Sequence, residues 1–411
     1  MDRQLTIELT DMAHGGQAVG REAPGGKAVF VPFALPGEVA RVQVIHDRGN
    51  MARGRILEIL SASPSRQEPP CPYFGTCGGC HWQHASYLSQ LEYKRSIVRA
   101  QLQRIGGVSS AEVYPTMGME TPWAYRNHVQ FGISPEGALG FMAAGSHEVV
   151  PIKHCLLLDP LLTHLVDSLD MELAGLRQLV LRAGIRTGEL MIVAQVRTRA
   201  SRPARLDPSA SFVSVAPDGS VTTVVGTPHF HEKLANRTYR ISATSFFQVN
   251  TLQAERLVAI VTEAIRNGPP GTLVDAYCGV GTFALAAAGD VDRAIGIETS
   301  GTAILDAKAN GAGLDHVSFM HGTVEDVLPA LGVQPAQIVV DPPRAGVEKT
   351  ALRAILQQQP QQIIYISCDP ATLARDVRDI IAAGYCLRWV QPVDMFPQTY
   401  HVECVVLMSR V

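Results

Sequence analysis

Between Leu5 and Leu60, apolar and polar positions alternate in short runs, LTIEL, KAVFVPF, EVARVQVI and ARGRILEIL, broken by a His-Gly-Gly turn and a Leu-Pro-Gly turn. Short alternating runs at this spacing predict a small antiparallel barrel. A proline-rich stretch from Ser61 to Pro72 reads as a linker. From Tyr87 to Ile105 the period lengthens to that of a helix. Leu88, Leu91, Ile97, Val98 and Leu102 are predicted on one side, and Lys94, Arg95, Arg99 and Arg104 largely on the other, solvated side. Between about Tyr125 and Tyr239 strand-like runs dominate, among them HVQFGI, LMIVAQV, SFVSVA and VTTVVG, with one helix predicted near Pro160 to Leu176.

Near Phe246 the pattern changes again. Thr251 to Arg266 reads as a helix, LVDAY as a strand, TFALAAA as a helix, RAIGIE as a strand and Thr302 to Gly311 as a helix. QIVVD, ALRAILQQ, QIIYIS and TLARDVRDIIAAG continue the alternation, and strands near Leu387 to Val393 and Val402 to Met408 close it. Alternation of this kind predicts a doubly wound α/β domain. No internal repeat or low-complexity tract interrupts the chain.

A chain of 411 residues accommodates two to four domains at roughly 100 to 200 residues each. With 46% apolar and 18% charged residues it is globular in composition. The charge balance of 35 basic against 38 acidic residues, a net −3, gives no global basic excess, so a nucleic-acid partner has to be argued from motifs. Eight cysteines are too few for a disulfide scaffold, and Met-Asp-Arg-Gln lacks the basic and then apolar pattern of a secretion signal. No apolar run reaches the ~18 residues of a membrane span. The expectation is a cytoplasmic protein, not membrane-bound, and a monomer.

The residues that carry chemistry cluster in the C-terminal part. DAYCGVGTFA, Asp275 to Ala284, places Gly279, Gly281 and Ala284 at G-x-G-x-x-A spacing between a strand and a helix. Missing side chains there let a nucleotide-like cofactor approach the backbone. Glu298 closes the next strand about 20 residues on, where an acid accepts hydrogen bonds from ribose hydroxyls. This spacing alone suits NAD and S-adenosylmethionine equally. Further on, Asp341-Pro342-Pro343-Arg344 and Cys368-Asp369-Pro370 each follow a strand, at the carboxyl edge where open α/β sheets bind ligands. A hydride-transfer enzyme has no use for a thiol there. Cys368 is expected between a strand end and a helix N-terminus, which favours thiolate and a nucleophilic role. Cys278, Cys386 and Cys404 are expected to be buried small hydrophobes. Cys71, Cys77 and Cys80 lie within ten residues, and Cys155 could complete a four-thiolate site. Zinc and an iron–sulfur cluster both suit such a donor set. His81 and His84 could serve in a mixed site, although packing roles are expected for them.

SCDPATLARD with DPPRAG before it, DAYCGVGTF, SFFQVN and HVEC together resemble the RNA uracil-5-methyltransferase family, which uses S-adenosylmethionine. GGQAVGR followed by GKAVFVPFALPGE resembles the TRAM domain, a small RNA-binding barrel. The cysteine cluster resembles the iron–sulfur site of the subgroup that modifies ribosomal RNA. The resemblance covers nearly the whole chain. It implies an α/β fold with a class I, Rossmann-like methyltransferase domain over 246–411, a TRAM/OB-like barrel over 1–62, and a β-rich middle domain over 69–245. The helix at 91–103 would pack back on the catalytic domain.

By the same resemblance, Cys368 is the nucleophile that adds to uracil C6, making an enolate that takes the methyl group, and Glu403 is the base that removes the C5 proton. Gln248, Tyr277, Thr282, Glu298 and Asp341 match positions lining the cofactor and target base, although Thr282 stands where many relatives carry Asn. Phe246 and Phe247 could stack near a splayed base or pack in the core. Cys71, Cys77, Cys80 and Cys155 would hold a structural [4Fe–4S] cluster. The expected reaction is methylation of uridine C5, in 23S ribosomal RNA rather than transfer RNA. The rivals are a transfer-RNA or cytosine-C5 enzyme, a non-catalytic RNA-binding iron–sulfur factor and, last, a nicotinamide-dependent oxidoreductase.

Overall fold

The computed structural model describes residues 3–197, 207 and 209–411; Met1 and Asp2, included in the expected barrel, lie outside them. β1 (Gln4–Met12), β2 (Ala18–Arg21), β3 (Ala28–Val31), β4 (Val39–Arg48) and β5 (Met51–Ser61) close in the order β1-β2-β3-β5-β4. Four of the ladders are antiparallel as the pattern predicts, but β3 closes on β5 in parallel. β2 is the strand that the His-Gly-Gly turn concealed. Ile7, Leu9, Val29, Val31, Ala40 and Val42 fill the barrel, and Trp82 and Ile97 from the following segment plug it.

Ile97 belongs to α1 (Tyr87–Arg104), whose Val98 and Leu102 enter the core of the catalytic domain instead. The helix is thus a wedge between barrel and catalytic domain, and it buries Ile97, Val98 and Leu102 as predicted, but with Gln90 and Lys94 rather than Leu88. Leu88 is 80% exposed, whereas Lys94 is fully buried. Lys94 Nζ forms an ion pair with Asp394 and donates to the Phe396 carbonyl at 3.1 Å, and Tyr87 Oη donates to Asp394 at 2.8 Å. A cation can leave solvent only with such a partner, and this one lies 300 residues away in sequence.

The middle region contains β6 (His128–Ile133), β7 (Leu139–Met142), β8 (Val149–Pro151), α2 (Pro160–Asp167), β9 (Leu176–Ala183), β10 (Leu190–Val196), β11 (Ala210–Val215) and β12 (Val221–Val225). They form one sheet, ordered β12-β11-β10-β9-β6-β7-β8. The helix predicted to Leu176 ends at Asp167, because Leu176 opens β9 and pairs with Val196. Leu162 and Leu165 of α2 cover one face of this sheet. A hairpin of β13 (His229–Leu234) and β14 (Arg237–Ser242) then contributes Phe230, Leu234, Tyr239 and Ile241 to the same core as the next helix, α3 (Thr251–Arg266).

The catalytic sheet follows with β15 (Thr272–Asp275), α4 (Thr282–Ala286), a short 3-10 turn (Ala288–Asp290), β16 (Arg293–Glu298), α5 (Gly301–Asn310), β17 (Val317–His321), α6 (Val324–Ala330), β18 (Gln337–Val340), α7 (Lys349–Gln357), β19 (Gln362–Ser367), α8 (Pro370–Ala382), β20 (Tyr385–Val393) and β21 (Glu403–Arg410). The strand order is β17-β16-β15-β18-β19-β21-β20, parallel through β19 and antiparallel at β21 and β20. β18 and β19 are buried at every position, as a sheet covered on both faces requires.

Candidate active site and cysteine cavity

Because β15, β16, β18 and β19 run in parallel, their carboxyl ends bring Asp275, Glu298, Asp341 and Cys368 to one edge of the sheet. β21 runs the other way. Its first residue, Glu403, therefore begins at that same edge, with Cys404 in register with Ser367, the neighbour of Cys368. Two residues far apart in sequence meet through strand direction.

Cys368 lines a cavity of about 110 Å³. Arg344, Tyr400 and His401 share its wall, and His14 and Gly15 reach it from the turn between β1 and β2. The barrel is thus part of the site. His14 Nε2 lies 3.4 Å from Asp369 Oδ2. Gly16, at φ 81°, packs on Tyr400 so closely that a Cβ would lie 2.8 Å from its ring, and its carbonyl accepts from Trp82 Nε1 at 3.0 Å. Only glycine fits there. Behind the pocket, buried Asp376 accepts from the Val347 amide at 2.9 Å and from Tyr365 Oη at 2.7 Å, and Thr372 Oγ1 donates to the Arg344 carbonyl at 3.2 Å. These bonds pin the loop that carries Asp341 and Arg344 against α8.

The environment of Cys368 differs from the sequence expectation. Burial, followed by the carboxylates of Glu403, Asp341 and Asp369, pushes its thiol up to about 12, against the pull of Arg344. Asp369 caps the helix N-terminus beside it. Its Oδ1 accepts from the amides of Ala371 at 2.9 Å and Thr372 at 3.0 Å. Burial works to raise the Asp369 carboxyl, but His14 and those amides outweigh it and hold it at about 2. Burial raises Glu403 well above the usual carboxylate range, with Asp341 adding to the shift. Burial and the nearby Asp275 carry Asp341 to about 7, and burial carries Asp275 there too. The site holds more acids than it can keep ionised together.

These shifts give a stability prediction. Asp341 is raised from 3.8 to about 7, so the stability it lends is full below about pH 4 and is lost as pH rises through 7. His81, His84, His128 and His401, all lowered chiefly by burial, act oppositely up to about pH 6.5, so the test must be a difference. Asp341→Asn is expected to melt higher relative to the unmutated protein at pH 8 than at pH 5, by roughly 2 °C or more. Melting curves at the two pH values check it, and an equal or reversed difference would refute it.

The turn after β15 provides a cofactor cradle. Gly281, at φ 91°, caps α4, and a Cβ there would lie 2.9 Å from Leu285 and 3.0 Å from Phe319. Glu298 accepts from the Gly279 amide at 3.0 Å and the Ser300 amide at 2.7 Å, which aims its carboxylate across the turn. Asp275 Oδ2 accepts from the Ala284 amide at 3.0 Å, while its buried Oδ1 makes no hydrogen bond of full geometry, with the Tyr277 backbone nearby. Tyr277 is partly buried beside this turn, and Thr282 opens α4, its carbonyl held by Tyr239 Oη at 3.3 Å. Gln248 is anchored through its carbonyl, which accepts from Asn127 Nδ2 at 2.9 Å. Glycines without room for side chains and an acid across the turn are features that fit S-adenosylmethionine. Phe246 and Phe247 divide: the first is 66% exposed, the second is buried on Tyr239.

Elsewhere the four cysteines Cys71, Cys77, Cys80 and Cys155 line a single cavity of about 190 Å³, together with Arg126. The Gly79 amide donates to Cys77 Sγ at 3.3 Å. Among the described residues, no group of three or more His, Cys, Asp or Glu is spaced to hold a metal ion. Cys278 and Cys404 are buried as expected, but Cys386 is exposed, standing on the outward side of the edge strand β20. His14, Asp275, Arg344, Tyr400 and His401 are site residues that motif reading did not single out. Asp275, Arg344 and His401 stood inside motifs already quoted; nothing in the sequence near His14 pointed to a pocket on another domain.

A seven-stranded sheet of this order, a glycine turn after its first strand and an acid ending the second define a class I methyltransferase that uses S-adenosylmethionine. The family model described as tRNA (Uracil-5-)-methyltransferase matches residues 229–327 and 332–411, and the TRAM domain matches 3–57. An RNA methyltransferase of Bacillus cereus without a characterised substrate is 36% identical over 99% of this chain and 96% of its own. A counterpart in Streptomyces avermitilis is 35% identical over 100% and 99%. The crystal structure of the tRNA (uracil-54, C5)-methyltransferase of Pyrococcus abyssi, in complex with S-adenosyl-L-homocysteine, superposes with a TM-score of 0.74 at 25% identity, over 98% of this chain and all of that one. This chain belongs to the RNA uracil-5-methyltransferase family. Among the described residues no helix is long and apolar enough to cross a membrane.

Proposed function

We propose that the protein methylates uridine C5 in 23S ribosomal RNA through a covalent adduct between Cys368 and uracil C6. The observation that carries this reading is the meeting of Cys368 and Glu403 at one sheet edge, beside the cofactor turn. C5 of uracil is a weak nucleophile, and addition of sulfur at C6 makes it an enolate carbon. The Cys368 thiol loses its proton as it adds, and a carboxylate of the site, Asp341 in this reading, takes it; the Asp341 charge is felt at the thiol. S-adenosylmethionine supplies the methyl group, held by Gln248, Tyr277, Thr282, Glu298 and Asp341. Glu403 then removes the C5 proton, and the Cys368 sulfur leaves as C5–C6 unsaturation returns. Arg344 and His14 face the same pocket and position the nucleotide.

Cys71, Cys77, Cys80 and Cys155 hold a [4Fe–4S] cluster. The support for this reading is that four thiols from two distant stretches of chain line one cavity of about 190 Å³, a soft donor set that suits such a centre. Half-buried Arg126 and the Gly79 amide offset the negative charge of such a centre. Its role is to fasten the segment after the barrel to the middle sheet. Cys155→Ser is expected to lose most of the iron and the visible absorbance while binding of S-adenosylmethionine persists. Full iron content in that variant would remove Cys155 from the ligand set.

Transfer RNA is the second substrate reading, favoured by the superposition with the Pyrococcus abyssi enzyme. Incubation with methyl-labelled S-adenosylmethionine and unmodified ribosomal or transfer RNA, followed by nucleoside mass spectrometry, decides. Label in 5-methyluridine of ribosomal RNA is expected. Label in transfer RNA would shift the substrate, and label in another nucleoside would overturn the base.

A further inference from the structure

A second cavity, of about 290 Å³, opens where the barrel meets the segment leading into the cysteine loop. Its walls are Phe33, Phe74 and His84, with Arg66 and Glu68 at the rim. The Phe33 and Phe74 rings meet edge to face at 5.5 Å, and His84 lies 5.5 Å from Phe74 and 6.1 Å from Phe33.

Three features set this place apart from ordinary packing. Phe33 holds φ 61° although it is a bulky residue, and it is still 37% exposed. Such a conformation costs on the order of 1–3 kcal/mol and persists only where the surroundings enforce it. Arg66 provides the enforcement: Nη2 donates to the Phe33 carbonyl at 2.8 Å while Nε and Nη2 grip buried Glu38. His84 is 2% exposed; the Ala34 backbone lies within reach of its ring, but neither nitrogen makes a hydrogen bond of full geometry. A buried polar ring left so is unfavourable unless a ligand completes it.

The position is also informative. The His81 ring packs at a tilt against Tyr400 of the catalytic pocket, centroids 4.6 Å apart, and His84 is only three residues further on. Three residues span at most roughly 10 Å, which a few nucleotides of single-stranded RNA can bridge. Unpaired bases are held by stacking on aromatic rings and by hydrogen bonds to their edges. A neutral imidazole offers one donor and one acceptor for such an edge.

We propose that the cavity between Phe33, Phe74 and His84 receives an unpaired nucleobase of the substrate RNA close to the target uridine. The half-exposed Phe33 ring moves to admit it, the base stacks on Phe33 or Phe74, and His84 bonds its edge. The inference rests on the RNA-methylating reading but assigns a site apart from the catalytic pocket.

The test uses the full chain and two probes. In fluorescence anisotropy with a labelled oligouridylate, Phe33→Ala is expected to bind about tenfold more weakly, and Phe33→Trp to bind as the unmutated protein does. Melting temperature and S-adenosylmethionine binding should be unchanged in both. Independently, photo-crosslinking of the unmutated protein to a 5-bromouridine oligonucleotide should place an adduct on Phe33, Phe74 or His84. Equal affinity for Phe33→Ala, or crosslinks confined to Cys368 and its pocket, would overturn the base site and leave the RNA reading standing. No binding of RNA by the unmutated protein would overturn both.

Discussion

Cys368→Ala is expected to reduce methyl transfer by roughly four orders of magnitude or more, while S-adenosylmethionine binds as before. In the proposed mechanism the carbon to be methylated attacks only after sulfur has added to C6, so deleting the sulfur removes the reaction path rather than weakening one contact. Cofactor binding should survive because the glycine turn, Glu298 and Asp275 stand on strands β15 and β16, held by bonds that do not involve Cys368. The buried thiol, raised to about 12, is protonated in the unliganded protein. Its alkylation at neutral pH should therefore be slow, and transfer must begin with loss of that proton. Turnover by Cys368→Ala within tenfold of the unmutated rate would refute the nucleophilic role. Single-turnover transfer and cofactor titration on the same preparation make the distinction.

Glu403→Gln should fail differently. Glu403 is 4% exposed at the first position of β21, and glutamine preserves its shape while removing its capacity to take a proton. Sulfur addition and methylation proceed, but the C5 proton stays and the sulfur cannot leave. A covalent protein–RNA complex carrying the methyl group should accumulate, with turnover falling by on the order of 10² to 10⁴. Denaturing electrophoresis with labelled RNA reads the complex directly. Normal release of methylated RNA would show that another group is the base.

Much of the architecture can be read from periodicity because the catalytic strands are fully buried and bounded by turn residues. QIIYIS and QIVV are buried at every position. β17 gave no such signal: of its five residues only Phe319 is buried. The helix over Tyr87 to Arg104 and its buried Ile97, Val98 and Leu102 are legible, but not the burial of Lys94, which rests on Asp394. Periodicity sees the chain locally and assigns a lysine to water; a partner 300 positions away reverses that. The motifs likewise led to Cys368, Glu298 and Asp341, each at a strand end. His14 stayed hidden because its partner, Asp369, belongs to another domain. The surroundings of the Cys368 thiol are hidden from the sequence for a related reason. The helix dipole was foreseen, whereas Asp369 capping it and Glu403 arriving on an antiparallel strand are facts of three-dimensional packing.

The most direct test is to trap the adduct. RNA in which 5-fluorouridine replaces uridine presents a C5 substituent that no base can remove as a proton, so the complex should stop after methyl transfer. Digestion and mass spectrometry of protein incubated with such RNA and S-adenosylmethionine are expected to locate one nucleotide, methylated and fluorinated, on the peptide containing Cys368. An adduct on another residue, or methylated RNA without any adduct, would contradict the account.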